Sequence, residues 1–373
     1  MRKATILALI WAVGLLCAAA LHAQDFKTLE RRDGLVFVDA LELGLTGKMM
    51  PTSNPYWRVD TVKYKGFVKG ENLQVRCPAG MSVAFTTDAT DIWVDVRFGD
   101  KAGDWASTAG LALSGFDLYI KDAAGEWIWA GKAGYGMKDK GGVMQLVRSM
   151  DGSQHDCLLY LPIYSEIYSL KIGVNDGAGL SRMSEPPFRH RVVVFGSSYT
   201  HGISTSRAGM AYPSQFTRHT GVQMISLGCS GNCKLQSYFA DVLCDVEADA
   251  FVFDAFSNPP ASMIEERLFP FIERVRAAHP GVPLIFQQTI YREGRNFNKD
   301  TDAFEQAKMD MADSLMKIAV KKYPDVYFIR PNASVKSHES TVDGVHPDDY
   351  GYWLWSRSIE KPVLRILRRY GIR

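Results

Sequence analysis

The sequence holds no run of five basic residues, no repeat at solenoid spacing and no cluster of cysteine and histidine at metal-ligand spacing. Each absence removes a class of function. Lysine and arginine number 43 against 41 aspartate and glutamate, and setting aside Arg2 and Lys3 in the N-terminal segment makes the balance even. An even balance gives no global field to draw in nucleic acid or an anionic membrane, so the expected partner is uncharged or weakly charged. Six cysteines, at 17, 77, 157, 229, 233 and 244, are too few and too scattered for a disulfide scaffold. Cys229 and Cys233 lie four apart and could be linked, although a buried free cysteine commonly serves as a small apolar residue. No metal or cofactor is expected.

Long apolar runs are also missing, with one exception. The segment MRKATILALIWAVGLLCAAALHAQ opens on Arg2 and Lys3, continues apolar from Ala4 to about Ala20 and ends in small residues. That order reads as a secretory signal over residues 1–23, cleaved after Ala23, so the protein is expected to be exported to a periplasmic or extracellular space. The bulky Leu16 before Cys17 argues against lipid attachment. The run is at or below the ~18 apolar residues that a spanning helix needs, so stable membrane insertion is not expected.

What is present is an ordinary globular composition, 46% hydrophobic and 23% charged, in 373 residues, a length that suits two domains. Residues 24–180 read as β structure. SVAFTTDATDIWVDVRF alternates apolar and polar residues around a turn at Asp88–Asp91, and LSGFDLYIKDAAGEWIWAG reads as two strands joined at Asp122–Gly125. DCLLYLPIYSEIYSLKIGV supplies two more strands, and the set predicts an all-β sandwich. Asn175 to His190, rich in Gly, Ser and Pro, reads as a linker. From about residue 187 the pattern changes. RVVVFG, VQMISLG, DAFVFDAF, VPLIFQQT and VYFIRP are short unalternated apolar runs of the kind buried on both faces of a parallel sheet. Helix-period segments separate and follow them, over Met210–His219, Lys234–Glu247, Met263–Ala278, Phe304–Lys322 and Tyr352–Arg368. The alternation predicts a doubly wound three-layer α/β domain over 187–373, whose ligands bind beyond the carboxyl ends of the strands.

The first of those runs continues as VVVFGSSYTHG, placing Ser197 and Ser198 at a strand end. A serine needs a base to act as nucleophile. Three of the eight histidines fall near strand carboxyl ends: His201, His338 and His346. His201 has no nearby acidic residue to orient it and reads better as a polar residue on the cleft rim. His338 has only the adjacent Glu339, and neighbouring side chains point apart. His346 stands in DGVHPDDYG with Asp343 three residues earlier, where a tight turn lets the carboxylate take the Nδ1 proton and leave Nε2 free. At the same edge, SLGCSGNCK offers glycine N–H groups at a turn and FSNPP offers Asn258, both suited to a negative oxygen.

These blocks resemble the SGNH (GDSL-type) hydrolase superfamily: FGSSYTHG, SLGCSGN, FSNPP and DGVHPDDYG, in that order. The resemblance implies a flavodoxin-like α/β/α domain hydrolysing esters without metal. It assigns Ser198 as nucleophile, Asp343 and His346 as the rest of a triad, and Ser198, Gly231 and Asn258 as the oxyanion hole. GMAYP at Gly209–Pro213 and GFDLY at Gly115–Tyr119 are similar to a branch carrying an N-terminal Gly-x-Asp-Leu-Tyr β domain, jelly-roll-like in form. Two departures are visible. Ser197 replaces the usual aspartate before the nucleophile, and should point back toward the sheet, while FSNPP lacks the usual glycine before Asn258.

The expected substrate is a short acyl ester, acetyl first, on a carbohydrate or small molecule. Trp57, Trp93, Trp105, Trp127 and Trp129 of the β region could stack on sugars, although most such residues are core. A lipase or lysophospholipase, a non-catalytic glycan-binding protein, and a nucleophilic Cys229 are the competing readings.

Overall fold

Alternation in the first half of the chain and its loss in the second both trace to what covers each strand. The computed structural model describes residues 26–103 and 106–373. The expected signal segment, with Cys17 and His22, and Trp105 lie outside the described residues.

The β region runs through β1 (Glu30–Arg32), β2 (Leu35–Asp39), β3 (Leu45–Thr46), β4 (Ser82–Thr87), β5 (Ile92–Lys101), β6 (Phe116–Lys121), β7 (Trp127–Ala133), β8 (Gly141–Val147), β9 (His155–Tyr160), β10 (Ser165–Asn175) and β11 (Leu180–Ser181). One antiparallel sheet has the order β1-β2-β10-β5-β8; the other has β11-β4-β9-β6-β7, with β3 paired to β4. Ile92, Val94, Val96 and Phe98 of β5 face the shared core with Val83, Phe85, Leu118 and Leu159. Three short helices interrupt the strands: α1 (Ala40–Leu43), α2 (Lys69–Arg76) and α3 (Gly110–Ser114). The sandwich is as expected, but β1, β2, β3, β8 and α2 add to the strands read from sequence. The Asn175–His190 stretch is also less of a linker than expected, since β11 inside it pairs with β4 through Leu180 and Thr87.

The central strands of the second sheet, β4, β9 and β6, are mostly buried on both faces. Ala84, Tyr119, Leu158 and Tyr160 point away from the sandwich core into a separate cluster that includes Ile203 and Ala208 of the following region. This second burial is why DCLLYL shows no alternation.

The α/β region contains β12 (Arg189–Gly196), β13 (Val222–Gly228), β14 (Ala250–Asp254), β15 (Leu284–Gln287) and β16 (Val326–Ile329). All five are parallel in the order β13-β12-β14-β15-β16, which is 2-1-3-4-5 within the domain. Its helices are α4 (Ser198–His201), α5 (Tyr212–Thr220), α6 (Ser237–Cys244), α7 (Ala261–Ala278), α8 (Lys299–Lys322) and α9 (Asp349–Arg368). Val193 and Phe195 of β12 pack with Phe239, Ile264 and Met316 from α6, α7 and α8. Val192 and Val194 pack on the other face with Tyr212, Phe216 and Trp355 from α5 and α9. The sheet is thus the middle of three layers, and its switch point lies between β12 and β14. Helix ends differ from expectation where caps decide them: Asn298 caps α8 through the Thr301 amide, and Asp348 caps α9 through that of Gly351.

GFDLY and GMAYP meet across the seam between the two regions. The buried Asp117 carboxylate accepts from the Gly209 amide at 2.9 Å and from Trp129 Nε1 at 2.9 Å, with Arg207 Nε at 3.3 Å. A Cβ at Gly209 would lie 2.6 Å from Asp117 Oδ2 and 2.7 Å from the Tyr119 ring, so this position has no room for a side chain. The described tryptophans are not core as expected. Trp57, Trp93 and Trp127 are half-buried and Trp129 is exposed, its indole held by Asp117 beneath Arg207.

Candidate active site

β12 ends at Gly196, and the chain turns at once into α4 with Ser197 as N-cap. The turn is tight: a Cβ on Gly196 would fall 1.9 Å from Thr200 Oγ1. Ser197 does point back toward the sheet. Its Oγ donates to Asp254 Oδ2 at 2.6 Å and its amide donates to the same oxygen at 3.0 Å. Thr200 Oγ1 joins at 3.1 Å, and Ser257 Oγ donates to Asp254 Oδ1 at 2.6 Å. Burial pushes the Asp254 carboxyl above its ordinary range, while these donors pull it back down. Asp254 therefore brings a carboxylate from the end of β14 to the Ser197–Ser198 turn, where Ser197 has none. Sequence reading missed it; the available signal was one acid inside an apolar parallel strand, where it must be hydrogen-bonded.

Ser198 emerges from this turn at 5% exposure. Its Oγ lies 3.1 Å from His346 Nε2, and His346 Nδ1 lies 2.8 Å from Asp343 Oδ2. Asp343 also closes its own turn, with Oδ1 accepting from the amides of His346 at 2.8 Å and Val345 at 3.0 Å. Burial would raise the Asp343 pKa, but the ring and backbone hydrogen bonds outweigh it and hold the carboxyl below its ordinary value. The ring of Tyr199 stands 5.8 Å from that of His346, and its hydroxyl accepts from Arg292 Nε at 2.7 Å.

Gly231 and Asn258 come to the same edge. Gly231 follows β13 at φ +73°, a left-handed conformation that glycine adopts without strain. Its amide has no acceptor among the described residues. Asn258 follows β14, and its Oδ1 accepts from the Cys233 amide at 3.1 Å, which turns Nδ2 the other way. Arg292 and Lys308 both donate to the carbonyl of Ser257 next door. They are bridged by Glu305, at 2.8 Å from Arg292 and 2.7 Å from Lys308. The set can take a proton from a serine hydroxyl, hold the resulting imidazolium, and offer donors to an oxyanion.

The other candidates go elsewhere. His201 is not on the rim: it is buried between the two regions, with Nε2 at 3.1 Å from the Ile163 carbonyl and Nδ1 at 3.2 Å from Ser230 Oγ. Burial and the nearby Arg58 charge hold its pKa well below the ordinary histidine value. A neutral ring with Nε2–H donating to Ile163 and Nδ1 accepting from Ser230 satisfies those two contacts, while Arg58 Nη2 also lies 3.3 Å from Nε2. His338 pairs with Glu293 rather than Glu339. Cys229 and Cys233 are free, buried thiols, and burial raises the Cys229 pKa above its ordinary value, which disfavours the thiolate. Among the described residues, no three His, Cys, Asp or Glu side chains are grouped to hold a metal ion, and no helix is long and apolar enough to cross a membrane.

Residues 189–365 match the GDSL-like lipase/acylhydrolase family, and residues 35–180 match the family described as the N-terminus of SGNH-hydrolase-type esterases. A crystal structure from Bacteroides ovatus, described as a GDSL-like lipase, is 34% identical with a TM-score of 0.84, covering 90% of this chain and 98% of its own. The salicylyl-acyltransferase SsfX3 of a tetracycline biosynthetic pathway is 16% identical at TM-score 0.63, covering 93% and 95%. A family two carbohydrate esterase from Clostridium thermocellum, in complex with cellohexaose, is 11% identical at TM-score 0.55, covering 78% and 93%. These last two share the fold. No curated protein matches the chain significantly.

Proposed function

The chain belongs to the GDSL-like lipase/acylhydrolase family, and on that premise we propose that it is an exported serine esterase that removes short acyl groups, acetyl first, from carbohydrate. The observation that carries the chemistry is the continuous path from Ser198 Oγ through the His346 ring to Asp343, at 3.1 and 2.8 Å. His346 Nε2 takes the Ser198 proton as Oγ attacks the ester carbonyl. Asp343 holds the ring in the tautomer with Nε2 free and stabilises the imidazolium that forms. The amides of Ser198 and Gly231 and the Asn258 Nδ2 receive the carbonyl oxygen as it becomes negative. His346 then protonates the departing alkoxide, leaving an acyl-Ser198. It next deprotonates a water molecule that attacks the acyl carbon, releasing the carboxylic acid and restoring the serine.

The substrate reading draws on exposure and on aromatic surface. The side chain of His346 is 20% exposed and that of Asp343 is 35% exposed, an open setting that suits an ester carried on a polymer. Tyr350 and Trp353, both exposed, lie on the first turns of α9 just past His346, with ring planes 14° apart. The two rings stack on each other, and an exposed aromatic face of this kind is one on which a sugar ring can stack. The two-part fold is also one that carries a carbohydrate esterase.

The test is a panel of p-nitrophenyl esters of increasing acyl length alongside acetylated xylan, with Ser198→Ala as control. Release of acetate from glycan and p-nitrophenyl acetate, falling off for long chains and lost by ~10⁴-fold or more in Ser198→Ala, is expected. Preference for long acyl chains would support the lipase reading. Equal activity of wild type and Ser198→Ala, or no labelling of Ser198 by a fluorophosphonate, would end the proposal.

A further inference from the structure

We infer that Gln74, a side chain of the β region, positions the Gly231 oxyanion donor; this rests on the esterase reading above. Gln74 lies in α2 and is 5% exposed. It grips a single residue of the loop after β13 through both of that residue's backbone groups. Its Oε1 accepts from the Ser230 amide at 2.6 Å, and its Nε2 donates to the Ser230 carbonyl at 3.2 Å. Asn232 Nδ2 donates to the same carbonyl at 2.8 Å.

The Ser230 carbonyl and the Gly231 N–H belong to one peptide unit. That unit is planar and trans, so its C=O and N–H point in opposite directions. Two donors that hold the carbonyl toward the β region therefore aim the N–H away from it, out of the loop. Gly231 is exposed, and a Cβ there would meet nothing within 4 Å. Glycine and open space together make rotation of this peptide cheap, so its direction depends on the donors that Gln74 and Asn232 bring to the Ser230 carbonyl.

The grip is anchored in turn. Arg58 is fully buried and donates to the Gln74 carbonyl at 2.7 Å, the Cys77 carbonyl at 2.7 Å and the Gly228 carbonyl at 2.9 Å. It thereby ties α2 to the end of β13. Tyr164 and Ser230 share a hydroxyl–hydroxyl bond at 2.6 Å, adding a third hold from the β region. A glutamine suits the position because its side-chain amide offers both a donor group and an acceptor, as a peptide does. An ionised glutamate would set a second lone-pair oxygen against the Ser230 carbonyl.

The experiment compares wild type, Gln74→Met, Gln74→Glu and Asn232→Ala on p-nitrophenyl acetate, with rates normalised to fluorophosphonate-labelled Ser198. Each is also titrated with an alkyl boronic acid, which places an anionic oxygen in the hole once bonded to serine. Both Gln74 variants are expected to lose about 10- to 100-fold in kcat, below the ~10²–10³ of deleting a donor outright, with KM within about twofold. Boronate affinity should fall in step with kcat/KM, which simple destabilisation would not produce in the folded, labelled fraction. Asn232→Ala removes the other donor to the same carbonyl and should show a smaller loss of the same kind, keeping the test open if Gln74 variants fold poorly. Wild-type kcat per labelled site in the Gln74 variants, or a kcat loss with unchanged boronate affinity, overturns the inference alone. A wild-type chain that turns over no ester overturns the esterase reading, and this inference with it.

Discussion

The two sides of the Ser198 site are built on different plans. The base side is local: Asp343 and His346 are three residues apart, and Asp343 accepts both the ring N–H and the two amides that shape its own turn. The oxyanion side is assembled from afar. Ser230 and Gly228 are held by Gln74 and Arg58, some 156 and 170 residues upstream and in the other half of the molecule. The Ser257 carbonyl beside Asn258 is held by Arg292 and Lys308, 35 and 51 residues downstream. A short turn can orient a ring because the ring needs one partner. The proposed oxyanion hole draws its three donors, the Ser198 and Gly231 amides and Asn258 Nδ2, from the segments after three different strands, so no single turn of this fold can aim them all. On the proposal above, the β region serves the chemistry through the loop it braces.

Breaking the local side should have the larger effect. Asp343→Asn leaves the turn's backbone acceptor at Oδ1 but stabilises the wrong imidazole tautomer, and kcat is expected to fall by about 10³–10⁴ with KM little changed. Steady-state kinetics on p-nitrophenyl acetate checks this. On the assembled side, Asn258→Ala should cost about 10²–10³ in kcat and leave labelling of Ser198 intact. A loss from Asn258→Ala equal to that from Asp343→Asn would erase the distinction between the two sides. The smallest effect is on stability in acid. The folded pKa of Asp343 is lowered, so its contribution is complete above the ordinary carboxylate range and is lost as pH falls through the lowered value. Its side chain is 35% exposed, so screening keeps that contribution well under about 1 kcal/mol. Thermal melts from pH 6 down to pH 3 should show wild type losing slightly more stability than Asp343→Asn.

The same contrast explains what could be read from the sequence. Asp343 and His346 are legible because their spacing is their geometry, and Ser198 is legible because an apolar parallel strand ends two residues before it. Helix α2 was invisible to a search for apolar periodicity: its buried residues are Glu71, Gln74 and Val75, so the face it hides is mostly polar. Asp254 was passed over as one letter of an apolar run. His201 was expected on the rim because nothing in the α/β pattern covers it; the β region does, with the Tyr164 ring 4.2 Å from its own. Local patterns thus carried the layers and the Asp343–His346 pairing, whereas contacts between distant segments carried the supports.

The bare methylene at Gly209, pressed between Asp117 and Tyr119, limits how this protein can be re-engineered. Exchanging the sandwich for an unrelated module would do more than remove a neighbour. It would strand the guanidinium of Arg207 without its buried acid and leave Ser226, Gly228 and Ser230 carbonyls facing water or a foreign surface. The halves should therefore melt in a single calorimetric endotherm, with substitution tolerated at the outer sheet β1-β2-β10-β5-β8 and penalised at the seam.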